Sequence, residues 1–462
     1  MSEFKDYKID LDQFDKEFKF TESGLTHKQG SRFKLLPYAA NEKTLVYDFS
    51  GVLGSFSRCI SDKEIKGEFN CEEFIEEVAE QVGEYEGNLS EETFKDIIRT
   101  IFIKEENLVN FDIKTLNYIS STNADEKIAR FLYSVLVDEN IKKEALNHYD
   151  IEVDNILYKL VLKALPILKE KQYQMDEYKC YIPYIKEIFI KDFRFLIKNE
   201  ELYKNSLKRL LEYYYMFYVS QLSIKLDQFE NAELDKVEKI YYTLSWESTS
   251  KNRTAYRLGW NLLKNKVNSL FSHAITLELL NTNNCKEQLG YTELSEIYST
   301  LDKSELEENL KKVVDAYQNQ VKDVSWDEFK ITSKQSSVNG FNEVYRLYDS
   351  LEYQFERKDS RNRAYKAYRN WFIKFVEKNF AKRRGALGYN LNLTEDDIIL
   401  MTKICINDKK KLKLNVLFEE FEKRGLFFDM DSSKKIIQLY EKLNLLEKKS
   451  DSGDAQYVRS VL

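Results

Sequence analysis

Apolar residues recur at three- and four-residue steps through most of this chain, so its dominant predicted element is the amphipathic helix. Between residues 72 and 82, Phe74, Ile75, Val78 and Val82 share one face. Ser90 precedes Glu91, Glu92 and Thr93 and is the expected N-cap of the next helix, because its hydroxyl can accept from free backbone N–H groups. Val153, Leu157, Leu160 and Ala164 predict another helix, which Pro166 ends or kinks. Residues 207–226 hold Tyr213, Tyr214, Tyr215, Phe217 and Tyr218, dense enough to predict a helix buried on most sides. Before residue 70 the pattern is weaker. It reads as an irregular or partly strand-forming arm over 1–35, short strands or a lead-in near 35–38 and 45–51, and a helix near 52–60. Polar residues 332–340 predict a loop, with the next helix beginning near Phe341.

After a second loop at 383–392 the pattern tightens. Thr394 is an N-cap followed by Glu395, Asp396 and Asp397, which suit the positive end of a helix dipole. That helix carries Ile398, Ile399, Met401 and Ile404. An extended piece at 411–414 leads to a second helix over 415–424, with Val416, Leu417, Phe418 and Phe421, and Gly425 stops it. Asp431 caps a third helix holding Ile436, Ile437, Tyr440 and Leu443. Strands at 445–449 and 455–462 flank the turn-forming Asp451, Ser452, Gly453 and Asp454. Helix, short strand, helix, turn, helix, hairpin is the winged-helix order. The expected fold is therefore mostly α, a multi-helix body with a C-terminal winged-helix domain. Its units are an N-terminal arm over 1–60, a helical body over 61–335, a basic and aromatic helical segment over 336–390 and the winged helix over 391–462.

Composition supports long helices: 462 residues include only 3 Pro and 14 Gly, below the usual roughly 5% and 7%. Tyr (31) and Phe (29) supply rings for helix seams. The net charge of −7 excludes a protein that coats nucleic acid with its whole surface, but not one with a local basic patch. Such a patch occurs at residues 357–384. Arg357, Lys358, Arg361, Arg363, Lys366, Arg369, Lys374, Lys378, Lys382, Arg383 and Arg384 stand there against Asp359 and Glu377. On a helical wheel Ala364, Tyr365, Tyr368, Trp371, Phe372, Phe375 and Val376 form the inner stripe, and most cations fall opposite, as a phosphate-binding face requires. In the C-terminal module, Lys434 and Lys435 on the third helix, with Lys448 and Lys449 on the wing, are candidate DNA contacts. Yet residues 394–462 hold 13 basic and 13 acidic residues, and a neutral winged helix serves protein docking as readily as DNA reading.

Candidate chemistry changes this picture little. There is no Walker-type phosphate loop, since Gly51-Val52-Leu53-Gly54 lacks its lysine, and no Rossmann, nucleophile-elbow or zinc-helix motif. Five scattered Cys and three isolated His predict free thiols in a reducing compartment and no metal centre. Residues 1–20 lack the apolar core of a signal peptide, and no stretch is apolar enough to span a membrane, so a cytoplasmic location is expected. Asp48 with Glu64-Ile65-Lys66 matches the letters of a metal-dependent nuclease, although 64–66 has no strand pattern. Trp246, Glu247, Arg253 and His273 could form a polar site; a structural pairing of Arg253 with Glu247 is the plainer expectation.

Three stretches carry a family resemblance: residues 445–459, residues 421–429, and Trp246-Glu247-Ser248-x-Ser250-x-x-Arg253 with Gly259-Trp260. They resemble the DNA phosphorothioation-dependent restriction protein DptG family, over roughly 240–280 and 390–462. The first 230 residues match it only in length and helical character. The resemblance implies a subunit acting with DptF-like and DptH-like ATPase partners to restrict double-stranded DNA that lacks the sulfur modification. It implies no catalytic residue and no cofactor. The leading expectation is thus a non-catalytic DNA-binding or scaffold subunit. A cryptic nuclease and a winged-helix transcription regulator are the alternatives.

Overall fold

The computed structural model describes residues 7–17, 27, 29–37, 45–67, 69–87, 89–285, 287–332, 334–448 and 456–461. Helix dominates them, and the sheets have only two or three strands each. No helix among the described residues is long and apolar enough to cross a membrane.

The organising element is the 28-residue central helix, Glu200–Asp227. Asn199 caps it by accepting from Leu202 N–H, and Glu200 and Glu201 oppose its dipole. Every residue from Leu210 to Leu226 is buried, as the aromatic density predicted. Neighbouring helices close on separate faces. Phe189 of the Pro183–Ile197 helix meets Tyr214 edge-on at 4.9 Å, and Phe375 of the Asp359–Asn379 helix meets Tyr215 edge-on at 5.0 Å. One continuous core runs from Tyr7 to Val458 around this helix. A second, smaller core joins Phe74, Val78, Ile98, Phe102, Phe111 and Val161. Its surface is acidic: residues 69–112 hold 13 Asp and Glu against 3 Lys and Arg.

Two helices come together only because glycine replaces a side chain. A Cβ on Gly51 would collide with the Asp125 carboxylate, and one on Gly54 with the Ile119 carbonyl. These glycines let the Ser50–Ser61 helix lie against the Asn123–Leu136 helix.

Several local expectations are corrected. The helix at 90 is capped by Leu89, in the left-handed region at φ 68°, and the Ser90 hydroxyl instead donates to the Gly87 carbonyl at 2.9 Å. The next predicted helix starts at Ile156, because Asn155 caps it, and ends at Lys163, before Pro166. Residues 357–384 are not one helix. The chain breaks at Lys358, between the Phe341–Arg357 and Asp359–Asn379 helices. The loop expected at 383–392 is a hairpin in which strand Ala381–Arg383 pairs antiparallel with Tyr389–Leu393. Asn390 to Leu393 are all buried in the second strand, and its far edge pairs parallel with Thr243–Leu244.

Past the hairpin, Thr394 and Asp397 form a reciprocal capping box for the Glu395–Ile406 helix. Strand Lys411–Lys413, helix Leu414–Lys423, helix Met430–Lys442 and strands Leu446–Lys448 and Gln456–Arg459 follow. The last strand lies between the other two, antiparallel to both. The third helix is capped by Asp429, which accepts from Ser432 N–H at 3.1 Å; Asp431, the expected cap, is an exposed first-turn residue. The expected turn at 451–454 lies outside the described residues. Gly425 takes φ 78° after the second helix, and a Cβ there would strike the Phe217 ring of the central helix. Beside it, Arg424 forks onto Asp192 at 2.8 and 2.6 Å, and both side chains are almost fully buried. Tyr214 donates to the same carboxylate at 2.6 Å. An ion pair this buried persists because each group is hydrogen-bonded as well as paired.

Candidate nucleic-acid interface

The Asp359–Asn379 helix carries most of the candidate cations, and its packing decides which of them reach solvent. Tyr365, Tyr368, Trp371, Phe372, Phe375 and Val376 are buried, which turns the opposite face outward. Arg363, Lys366 and Lys378 are exposed on that face and form no ion pair with a described residue. Arg369 is half-buried, with its guanidinium 5.3 Å from the Tyr365 ring centre. Lys374 is half-buried too. Just past the helix, Lys382 and Arg383 are exposed on the hairpin, with the Lys382 ammonium donating to the Ser245 carbonyl at 2.8 Å.

Two of the candidates are structural. Arg361 is buried, forks onto Asp323 at 2.9 and 3.0 Å and donates to Gln354. Arg384 donates to the carbonyls of Glu247 at 2.8 Å and Leu244 at 2.7 Å, and burial pulls its pKa below the ordinary arginine value. Both cations are consumed in holding the chain together.

The third C-terminal helix, Met430–Lys442, differs in kind. Lys434 is exposed, and Lys435 is half-buried and donates to Gln438 at 3.1 Å. Lys448 is paired with Glu441 at 2.8 Å, and Lys449 lies outside the described residues. The start of this helix is fastened to the body. Arg253 donates to Asp429 at 3.1 Å and to Ser432 Oγ at 2.7 Å, and Ser432 donates in turn to Glu247 Oε1 at 2.8 Å. Glu247 also accepts from Leu244 N–H at 2.9 Å. Burial raises the Asp429 pKa, but Arg253 and the N–H groups of Ser432 and Ala255 outweigh it and leave the carboxyl below its usual range. The sequence anticipated the Arg253–Glu247 pair, seen here at 3.3 Å. It did not anticipate Asp429 and Ser432, whose only visible signal is the three-residue spacing of a helix cap. A cleft of about 450 Å³ lies beside this network, lined by Thr249, Ser250, Lys434 and Lys435 among others.

Other expected groupings do not assemble. His273 is buried elsewhere, with Nδ1 3.0 Å from the Tyr291 hydroxyl, and burial drives its pKa down to about 3. It is therefore a neutral core residue at physiological pH. Asp48 is paired with Lys208, and Glu64, on a two-residue strand that the sequence did not suggest, is paired with Lys171. Among the described residues no cluster of three His, Cys, Asp or Glu is placed to hold a metal ion. The five cysteines form no disulfide. No protein-family model and no curated protein matches this chain.

Proposed function

We propose that this chain is a non-catalytic, DNA-binding adaptor of a cytoplasmic restriction complex, resembling the DptG family and acting on double-stranded DNA beside DptF-like and DptH-like ATPase subunits. The observation that carries the DNA-binding part is the outward row of Arg363, Lys366 and Lys378, unpaired among the described residues in a chain of net charge −7. Cations that neutralise no carboxylate of their own are free to neutralise phosphates and release counterions. Lys382 and Arg383 extend the same charge onto the hairpin. We read residues 391–462 as a winged helix, supported by the element order and by the central placement of the last strand in its sheet. Because its third helix is fastened at its start and holds few free cations, this module fits protein docking better than base reading. The acidic surface of residues 69–112 repels DNA, which leaves that lobe for protein contacts.

Anisotropy of labelled duplex DNA at rising salt tests this reading. Reversing Arg363, Lys366 and Lys378 to Glu is expected to flatten the log–log salt slope by roughly 3, at about 0.9 for each lost phosphate contact. An unchanged affinity and slope would remove the basic helix as the interface. Co-purification with the ATPase subunits tests the adaptor part separately, and a chain that stays alone there would sink it.

A further inference from the structure

A different region of the molecule, far from the basic helix in sequence, holds a buried charge whose direct hydrogen-bond partners are all neutral, with Glu126 and Glu64 acting on it only across the cleft. Arg58, on the Ser50–Ser61 helix, is only 4% exposed, yet no carboxylate among the described residues pairs with it. Its Nη1 donates to the carbonyls of Asn117 at 2.9 Å and Ile119 at 2.8 Å, and its Nη2 to Ser121 Oγ at 2.6 Å. Those partners close off the end of the short 3-10 turn Ile113–Tyr118, but they are dipoles and a hydroxyl, not a negative charge. A guanidinium cannot shed its proton to escape burial, so it calls for an anion. Burial accordingly pulls its pKa below the ordinary arginine value.

Arg58 lines a cleft of about 620 Å³, within the size range of small-molecule sites. Arg130 lines it as well. Its Nε is buried and makes no hydrogen bond, and its nearest carboxylate, Glu177 at 3.7 Å, is already paired with Lys34. Lys171 lines it too, its ammonium paired with Glu64 and 5.3 Å from the centre of the Tyr173 ring. That ring is held in the wall by its hydroxyl, which donates to the Lys63 carbonyl at 3.0 Å. The cleft thus joins two forked guanidinium groups, a fixed aromatic face and carboxylates such as Glu126 that can accept from hydroxyl or N–H donors.

We propose that this cleft binds a phosphorylated small molecule of mononucleotide size. The arginines take the phosphate as a directly bonded anion, the Tyr173 ring takes the planar base, and Glu126 takes sugar hydroxyls. Inorganic phosphate satisfies the first of these contacts alone and binds more weakly. The site is independent of the DNA-binding face.

Calorimetric titration of the full chain with ATP, AMP, inorganic phosphate and a 5′-phosphorylated single-stranded oligonucleotide tests the proposal. A mononucleotide is expected to bind at least about tenfold more tightly than phosphate, and Arg130→Gln or Lys171→Gln to weaken it by about tenfold or more. Arg58→Gln also removes the bonds that close the 3-10 turn, so the two other variants, whose folding is checked by circular dichroism, decide the outcome. Retained nucleotide binding in the Arg363, Lys366 and Lys378 charge reversal separates this cleft from the DNA face. No heat with any mononucleotide at millimolar concentration, or full affinity in both Arg130→Gln and Lys171→Gln, overturns the proposal. Binding of the oligonucleotide alone would assign the cleft to a DNA end and overturn it too.

Discussion

The Asp359–Asn379 and Met430–Lys442 helices both carry cations that the proposed reading would offer to a nucleic acid, and they hold them differently. The first sinks its rings in the main core and spends Arg361 on Asp323, while Arg363, Lys366 and Lys378 pair with no described residue. The second also buries Ile436, Leu439 and Tyr440 in that core, but in addition its N-terminal end is fastened by polar contact through Arg253, Asp429, Ser432 and Glu247. Its cap and first turn are therefore occupied before any partner arrives. Charge density in a sequence measures neither condition. What matters is which cations are already spent on pairing inside the chain, because only the others are free.

The strongest way to break this comparison is to cut the polar fastening. Arg253 is 10% exposed beside Asp429 at 12% and Glu247 at 2%. Arg253→Ala is expected to cost about 3–5 kcal/mol in urea denaturation, because it strands buried carboxylates, while leaving the salt slope of DNA binding unchanged. Unaltered stability would mean the third helix is not held this way. A smaller effect is expected from Lys434→Glu with Lys435→Glu. The salt slope is expected to change by less than about 1, against roughly 3 for the basic helix. Equal changes would erase the distinction between the two helices.

The smallest effect is a pH dependence confined to the fastened helix. The Asp429 pKa is depressed in the folded chain, so its charge contributes stability above the unfolded value of about 3.9. That contribution is lost as pH falls through the lower folded value. Asparagine keeps the cap but not the charge. The difference in melting temperature between wild type and Asp429→Asn is therefore expected to be constant from about pH 5 to 8 and to close below about pH 4. A gap that persisted in acid would place the effect in the cap and not in the ion pair.

Much of the helical framework was legible because its causes are local. The tyrosines at 213–215 announce a buried helix, and Thr394 announces the N-cap of the helix after it, which the structure completes as a capping box with Asp397. Some misreadings are local, such as the cap at Leu89 in place of Ser90, and others come from a partner distant in sequence. Residues 383–392 read as a loop although their hairpin partner, Ala381–Arg383, is close by; the far-edge pairing of Tyr389–Leu393 with Thr243–Leu244 was invisible in the sequence. Arg361 and Arg363 look alike in the sequence, yet two residues turn a helix by about 200°, so one is buried and bonded to Asp323 and the other faces water. Asp431 looked like the cap in place of Asp429 because the two acids stand two positions apart and only Asp429 has Arg253 beside it. The exposed cations of the basic helix could be read from its stripe of rings. The cleft at Arg58 could not, since nothing in a sequence marks a buried charge whose bonded partners are all neutral.

The Arg424–Asp192 pair joins residues 232 positions apart. On the ribosome, Asp192 and the face of the central helix around Phe217 are made long before Arg424 and Gly425 arrive to cover them. Until then a carboxylate and an aromatic surface stand open to water and to neighbouring chains. Contacts this distant slow folding and prolong exposure to aggregation. Cells producing this chain are thus expected to rely on chaperone capacity until about residue 425 has left the exit tunnel, and a fragment ending before Arg424 would keep that surface uncovered.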